Sequence, residues 1–83
     1  MESKLAEIDP STSAFKILVY LTFKDQPMRP IDISRGLGEN GSTVRARLAE
    51  LNKDGLVDNT NDGYVSNLTT YDILMRLYKS NQE

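Results

Sequence analysis

The 83 residues, 39% hydrophobic and 27% charged, suffice for one small globular domain with a single core and leave no room for a second. Cysteine and histidine are both missing, which excludes disulfides, thiolate or imidazole metal sites, and every Cys/His or Ser/His catalytic arrangement. The twelve acids, set against ten bases for a net charge of −2, form no Asp-rich cation loop, and no Gly-rich phosphate loop accompanies them, so neither an enzyme nor a metal or cofactor protein is expected.

Residues 1–9 read as an N-terminal extension. Asp9-Pro10 then reads as a helix entry, with Asp9 as N-cap and Pro10 at the first helical position, leading into SAFKILVYLTFK and ending near Lys24. At 100° per residue Ala14, Phe15, Leu18, Leu21 and Thr22 share one face, Ile17 and Val19 flank it, and Lys16, Tyr20 and Lys24 point away. So wide an apolar arc predicts a central helix that touches several elements. Phe23, one turn beyond Val19, either extends this arc into a dimer surface or packs within the monomer.

Pro27 and Pro30 restrict the residues before them, so DQPMRP is a break in which Met28 forms at most a very short strand. Pro30 opens a second helix, PIDISRGL, with Ile33, Ser34 and Leu37 inward and Asp32 and Arg35 outward. Gly38 suits the left-handed cap that ends it. Asn40 is a good N-cap for a third helix over 41–53, GSTVRARLAELNK, which Gly55 stops. Val44, Leu48 and Leu51 form its inward stripe.

After Gly55 the pattern turns to extended chain. Residues 56–67 predict a β-hairpin with Asp62-Gly63 as its turn pair. Thr69 caps a last helix over 69–80, with Asp72 completing a capping box. Tyr71, Leu74, Leu77 and Tyr78 are its expected inward positions, with Ile73 and Met75 at the margins. The order predicts an α+β, mostly α architecture: three helices, a hairpin wing over 56–67 and a C-terminal helix, with the helix-turn-helix over 30–54.

The run DISRGLGENGSTVRARLAELNKDGLV resembles the helix-turn-helix core of the MarR/ArsR-type winged-helix transcription regulators without a gap over 26 residues. The resemblance rests on Ile33, Ser34 and Leu37-Gly38, the cap Asn40, Ser42-Thr43-Val44, the Leu48/Leu51 stripe and Gly55-Leu56-Val57. It implies a winged helix-turn-helix fold and a regulator that binds double-stranded DNA in a sequence-specific way. Most of these residues are core or backbone requirements, so the outward positions must decide function.

With helix 41–53 in the major groove, Ser42, Ala46, Ala49 and Lys53 lie opposite the inward stripe. Ser42, Ala46 and Ala49 are small, which lets the backbone approach base edges, while Arg45 on the shoulder is long enough to bond O6 and N7 of guanine. Gly41, Ser42 and Thr43 start the helix, where free N–H groups and hydroxyls suit a phosphate, although Ser and Thr there also serve as caps. Arg29 and Arg35 are the expected phosphate clamps. Arg47 lies near the core edge, within reach of a phosphate or of an acid such as Asp54. Glu50 on the outer half of the helix repels phosphate unless it accepts from a cytosine amine.

The charge distribution is uneven: residues 28–57 hold four Arg and one Lys against four acids, whereas 1–27 and 58–83 are net negative. The wing departs from the family pattern, since 58–67 contain Asp58 and Asp62 and no base; Asn59, Thr60 and Asn61 can meet phosphate or sugar only as neutral groups. A single subunit with roughly 3 to 5 phosphate contacts binds weakly, which predicts a homodimer through the first and last helices on two half-sites. The alternative is a protein-interaction adaptor in a transcription or replication assembly, suggested by the acidic wing and by Phe23, Ile73 and Met75. No apolar run reaches the ~18 residues a membrane span needs, and MESKLAEIDP has no signal-peptide core, so a cytoplasmic protein with no membrane partner is expected.

Overall fold

The computed structural model of the protein describes residues 8, 9 and 11–81. Its elements run α1 (Ser13–Lys24), α2 (Pro30–Leu37), α3 (Gly41–Lys53), β1 (Val57–Thr60), β2 (Gly63–Ser66) and α4 (Thr70–Asn81). Four helices and a two-stranded antiparallel hairpin make this the mostly helical winged helix-turn-helix plan.

Helix α1 begins three residues later than a cap at Asp9 requires. Thr12 is the N-cap, its hydroxyl accepting from the Phe15 N–H. Asp9 instead shapes the turn before it, accepting at 3.0 Å from the Ser11 N–H and at 2.9 Å from its hydroxyl. Pro10, expected at the first helical position, lies outside the described residues. The expected central role of α1 is seen, since α1 packs on α2, α3, β2 and α4. Its centre is shifted, however, because Ile17 is fully buried rather than flanking. Tyr20 is also turned inward: its ring lies over Gly36 of α2, where any Cβ would collide with its hydroxyl. Gly36 thus lets α2 approach α1, a constraint that a helical wheel of α1 does not contain.

Phe15, Ile17, Leu18 and Leu21 of α1 meet Ile33 of α2, Val44, Leu48 and Leu51 of α3, and Met28, Leu56, Val57 and Ile73 in one core. At about 25 cal/mol per Å² of apolar surface, each such side chain contributes about 1.5 to 3 kcal/mol. Thr22 is the buried polar residue of this region. Its hydroxyl donates to the Leu18 carbonyl at 2.7 Å and meets the Ser66 hydroxyl at 2.7 Å, which fastens β2 to α1 with no orphaned group.

In the hairpin Val57 pairs with Ser66, Asp58 with Val65, Asn59 with Tyr64 and Thr60 with Gly63. The two-residue loop is therefore Asn61-Asp62, and Gly63 is the first residue of β2 rather than part of the turn. Met28 forms the expected minimal strand, exchanging two backbone hydrogen bonds with Tyr64, at 3.0 and 2.8 Å.

The largest departure is α4. Its capping box forms as the sequence predicts: the Asp72 carboxylate accepts from the Thr69 N–H at 2.9 Å, and the Thr69 hydroxyl accepts from the Asp72 N–H. Its phase is different. Ile73, expected at the margin, is buried, whereas Tyr71, Leu74, Leu77 and Tyr78 are exposed, Leu74 by 58%. The helix meets the body chiefly along α1, and Arg76 donates to the Ile8 carbonyl at 2.9 Å. The apolar residues at 71, 74 and 78 share one face of the helix, and that face is turned to the exposed side.

Candidate nucleic-acid interface

The turn between α2 and α3 sets how α3 projects, and several bonds hold it. Gly38 takes the left-handed conformation with φ 69°, and the Glu39 N–H returns to the Ser34 carbonyl at 3.1 Å. The Ser34 hydroxyl donates to the Glu39 carbonyl, which explains a polar residue on the inward side of α2. The Glu39 carboxylate is paired with Lys16 of α1 at 2.7 Å, joining the turn to the central helix.

Asn40 then caps α3 as expected, accepting from the Ser42 N–H at 2.8 Å. The far end closes with the N–H of Gly55 on the Asn52 carbonyl and that of Leu56 on Leu51, the paired bonds of a Schellman motif. Gly55 has φ 79°, the left-handed position that such an ending needs. Between these stops Val44, Leu48 and Leu51 are buried, so α3 has a fixed rotation and its outer face is defined.

On that face Ser42, Arg45, Ala46, Ala49 and Lys53 are exposed, while Gly41 and Thr43 are half-buried. Arg45 folds back along the first turn: a Cβ on Gly41 would stand 3.6 Å from one of its terminal nitrogens. The guanidinium therefore lies at the leading end of the helix, beside the small side chains. Arg35 is exposed on the outside of α2.

A second group comes together around the wing. Arg29, Asn59 and Asn61 line one cleft of about 280 Å³ with Pro30, Thr60, Gly63 and Tyr64. Arg29 is placed by its own N–H, which donates to Asp32 at 3.3 Å at the start of α2. The Met28–Tyr64 bridge brings that start against the hairpin, an association between residues thirty-six positions apart that no local pattern reveals. Asp58 and Asp62 are exposed on the hairpin.

Arg47 stands apart from Arg45. One terminal nitrogen donates to the Glu50 carboxylate at 2.9 Å, an i,i+3 pair, and its Nε is buried with no hydrogen-bond partner among the described residues. The partner is thus Glu50 rather than Asp54. The sequence reading of Glu50, an acid that repels phosphate unless it accepts from a cytosine amine, does not include this partner; the i,i+3 spacing of Arg47 and Glu50 is the available signal that its charge is compensated.

The surface is a helix with a low, uncharged centre, an arginine at its leading shoulder, and a cationic cleft at the base of the wing. Such a surface can enter a groove and hold phosphates. Compared with protein families, residues 13–60, from the start of α1 to the end of β1, match the sequence model of the IclR helix-turn-helix domain. The match agrees with the winged helix-turn-helix regulator type and replaces the MarR/ArsR-type assignment, whose pattern lies in the core and turn positions. A comparison with curated proteins finds no match.

Proposed function

The chain belongs to the IclR helix-turn-helix domain family, DNA-binding domains of transcription regulators, and from that premise we propose that it binds double-stranded DNA in a sequence-specific way with α3 in the major groove. The observation that carries this reading is the outer face of α3. Ser42, Ala46 and Ala49 allow the backbone close to base edges, and Arg45 at the shoulder has the length and planar fork to bond guanine O6 and N7.

Gly41, Ser42 and Thr43 at the start of α3, with Arg35 on α2, face the sugar-phosphate chain on one side. Arg29, Asn59 and Asn61 meet it at the wing. Arg47, bound to Glu50, contributes through that pair. The exposed acids Asp58 and Asp62 repel phosphate, and the wing carries no base to enter the minor groove, so its backbone contacts are made by the neutral Asn59 and Asn61 beside Arg29.

The protein acts as a homodimer through α1 and α4. Tyr71, Leu74 and Tyr78 are exposed on α4, and Leu77 of the same helix lines an open groove of about 390 Å³ with Phe15, Val19, Tyr20 and Leu37. Ridge and groove on the same subunit are what a self-complementary two-fold contact needs. Two copies then present two α3 helices to half-sites about one helical turn apart. An adaptor role in a transcription or replication assembly rests on the same apolar face and the acidic wing, and is favoured only for a chain that is monomeric and indifferent to duplex.

The test is binding to labelled duplex at several salt concentrations. With ~3 to 5 phosphate contacts per subunit, log K falls against log salt with a slope of roughly −3 to −5 per subunit. No binding to any duplex at low salt would refute the reading.

A further inference from the structure

We propose that Glu50 is a base-reading residue, held in place by Arg47, and that the base it selects is cytosine. The inference rests on the reading that α3 enters the major groove, and it identifies what part of that groove the third turn of the helix reads.

Arg47 and Glu50 are joined through one guanidinium nitrogen and one carboxylate oxygen, Oε2, at 2.9 Å. Their side chains differ sharply in environment, 35% exposed for Arg47 and 61% for Glu50. The Arg47 stem is laid against the body, with Nε buried and unpartnered among the described residues. An exposed ion pair one turn along a helix stabilises little, and burying a guanidinium N–H without an acceptor costs more than such a pair returns. Stability therefore does not account for the arrangement. What it achieves is placement: an anchored cation fixes a carboxylate on the outer surface of α3.

Glu50 lies about 40° around the helix from Ala46, on the shoulder opposite Arg45. Partial neutralisation by Arg47 lowers the cost of bringing an acid into a phosphate-lined groove. Oε1 retains its lone pairs, so the group presented to DNA is an acceptor. In the major groove cytosine offers the N4 amine as a donor. Guanine and thymine offer acceptors there, and adenine places the N7 acceptor next to its amine, so a carboxylate accepts cleanly from cytosine alone. Arg45 and Glu50 then read complementary chemistry, guanine and cytosine, from the two shoulders of one helix. Arg47 is a positioning residue that acts through Glu50.

The experiment selects binding sites from randomised duplexes with the wild-type chain and with Glu50→Gln, Arg47→Ala and Arg47→Lys, each first checked for an unchanged thermal transition. The wild type should enrich cytosine at one position by about fivefold or more. Glu50→Gln should move that position toward adenine, whose N6 and N7 suit an amide, and leave the others unchanged. Arg47→Ala should weaken the cytosine preference several-fold, and Arg47→Lys should restore part of it. A sequence-selective wild type whose profile is unchanged in Glu50→Gln overturns the proposal and leaves the groove reading intact. A wild type that selects no sequence overturns both.

Discussion

Gly63 and the Met28 backbone meet so closely that a Cβ on Gly63 would stand 2.7 Å from the Met28 carbonyl carbon and oxygen. Gly63 also has φ 134°, a conformation rarely open to other residues. Since the Met28–Tyr64 bridge fastens the wing to the start of α2, Gly63→Ala should cost about 2 kcal/mol or more and lower the melting temperature by roughly 10 °C. A thermal transition unchanged within about 2 °C would show that the wing tolerates separation from Met28.

Asp25 ends α1 at φ 55°, ψ 39°, and its N–H donates to the Leu21 carbonyl. It has the left-handed C-terminal geometry in which glycine is favoured, and it has a Cβ there. Asp25→Gly should therefore stabilise the protein by about 0.5 kcal/mol, reduced from the full left-handed penalty by the greater freedom of glycine in the unfolded chain. Equilibrium denaturation in urea reads the change as a higher midpoint at constant slope; a lower midpoint would contradict it.

Asp9 is held below the ordinary carboxylate range first by the Ser11 N–H, then by the Ser11 hydroxyl, with the charge of Arg76 adding to them against slight desolvation. Because the folded value is lowered, its contribution is complete above the ordinary value of 3.8 and is lost as pH falls through the folded value. Following the Asp9 carboxyl by NMR should give a midpoint below 3.8, and Ser11→Gly, which removes the hydroxyl, should move it upward. An Asp9 midpoint at or above 3.8 would mean that this turn does not form in solution.

The fold was largely legible because its signals are local. Asn40, Gly38, Gly55 and the Thr69/Asp72 box mark helix ends by backbone chemistry that acts over a few residues, and the structure places each as the sequence predicts. The start of α1 is not legible in the sequence because Asp9 and Thr12 are both good caps, and the one that shapes the preceding turn cannot be told from the one that caps. The phase of α4 failed for a different reason. Periodicity shows that Tyr71, Leu74 and Tyr78 share a face, but which face meets the body depends on where α1 leaves room, and the side chain buried there is Ile73. At the candidate site, the rotation of α3 followed from Val44, Leu48 and Leu51. The convergence of Arg29 with Asn59 and Asn61 did not, since it depends on a bridge between distant residues.

Dimer formation through α4 can be separated from folding, because Leu74 is exposed and lies outside the core. Leu74→Asp should give a folded monomer in sedimentation, with binding to a single half-site retained and binding to a paired site reduced by about a hundredfold or more. A wild-type chain that sediments as a monomer at concentrations where it occupies paired sites would contradict this interface.

The placement of α3 in the major groove is tested most directly by methylation interference on a selected duplex. Guanine N7 lies in the major groove and adenine N3 in the minor groove, so methylation at each reports on its own side of the duplex. Methylation of N7 at one or two guanines per half-site should block binding, and Arg45→Ala should remove this interference, while adenine N3 methylation should have little effect. Interference confined to adenine N3, or a guanine pattern unchanged by Arg45→Ala, would contradict this placement.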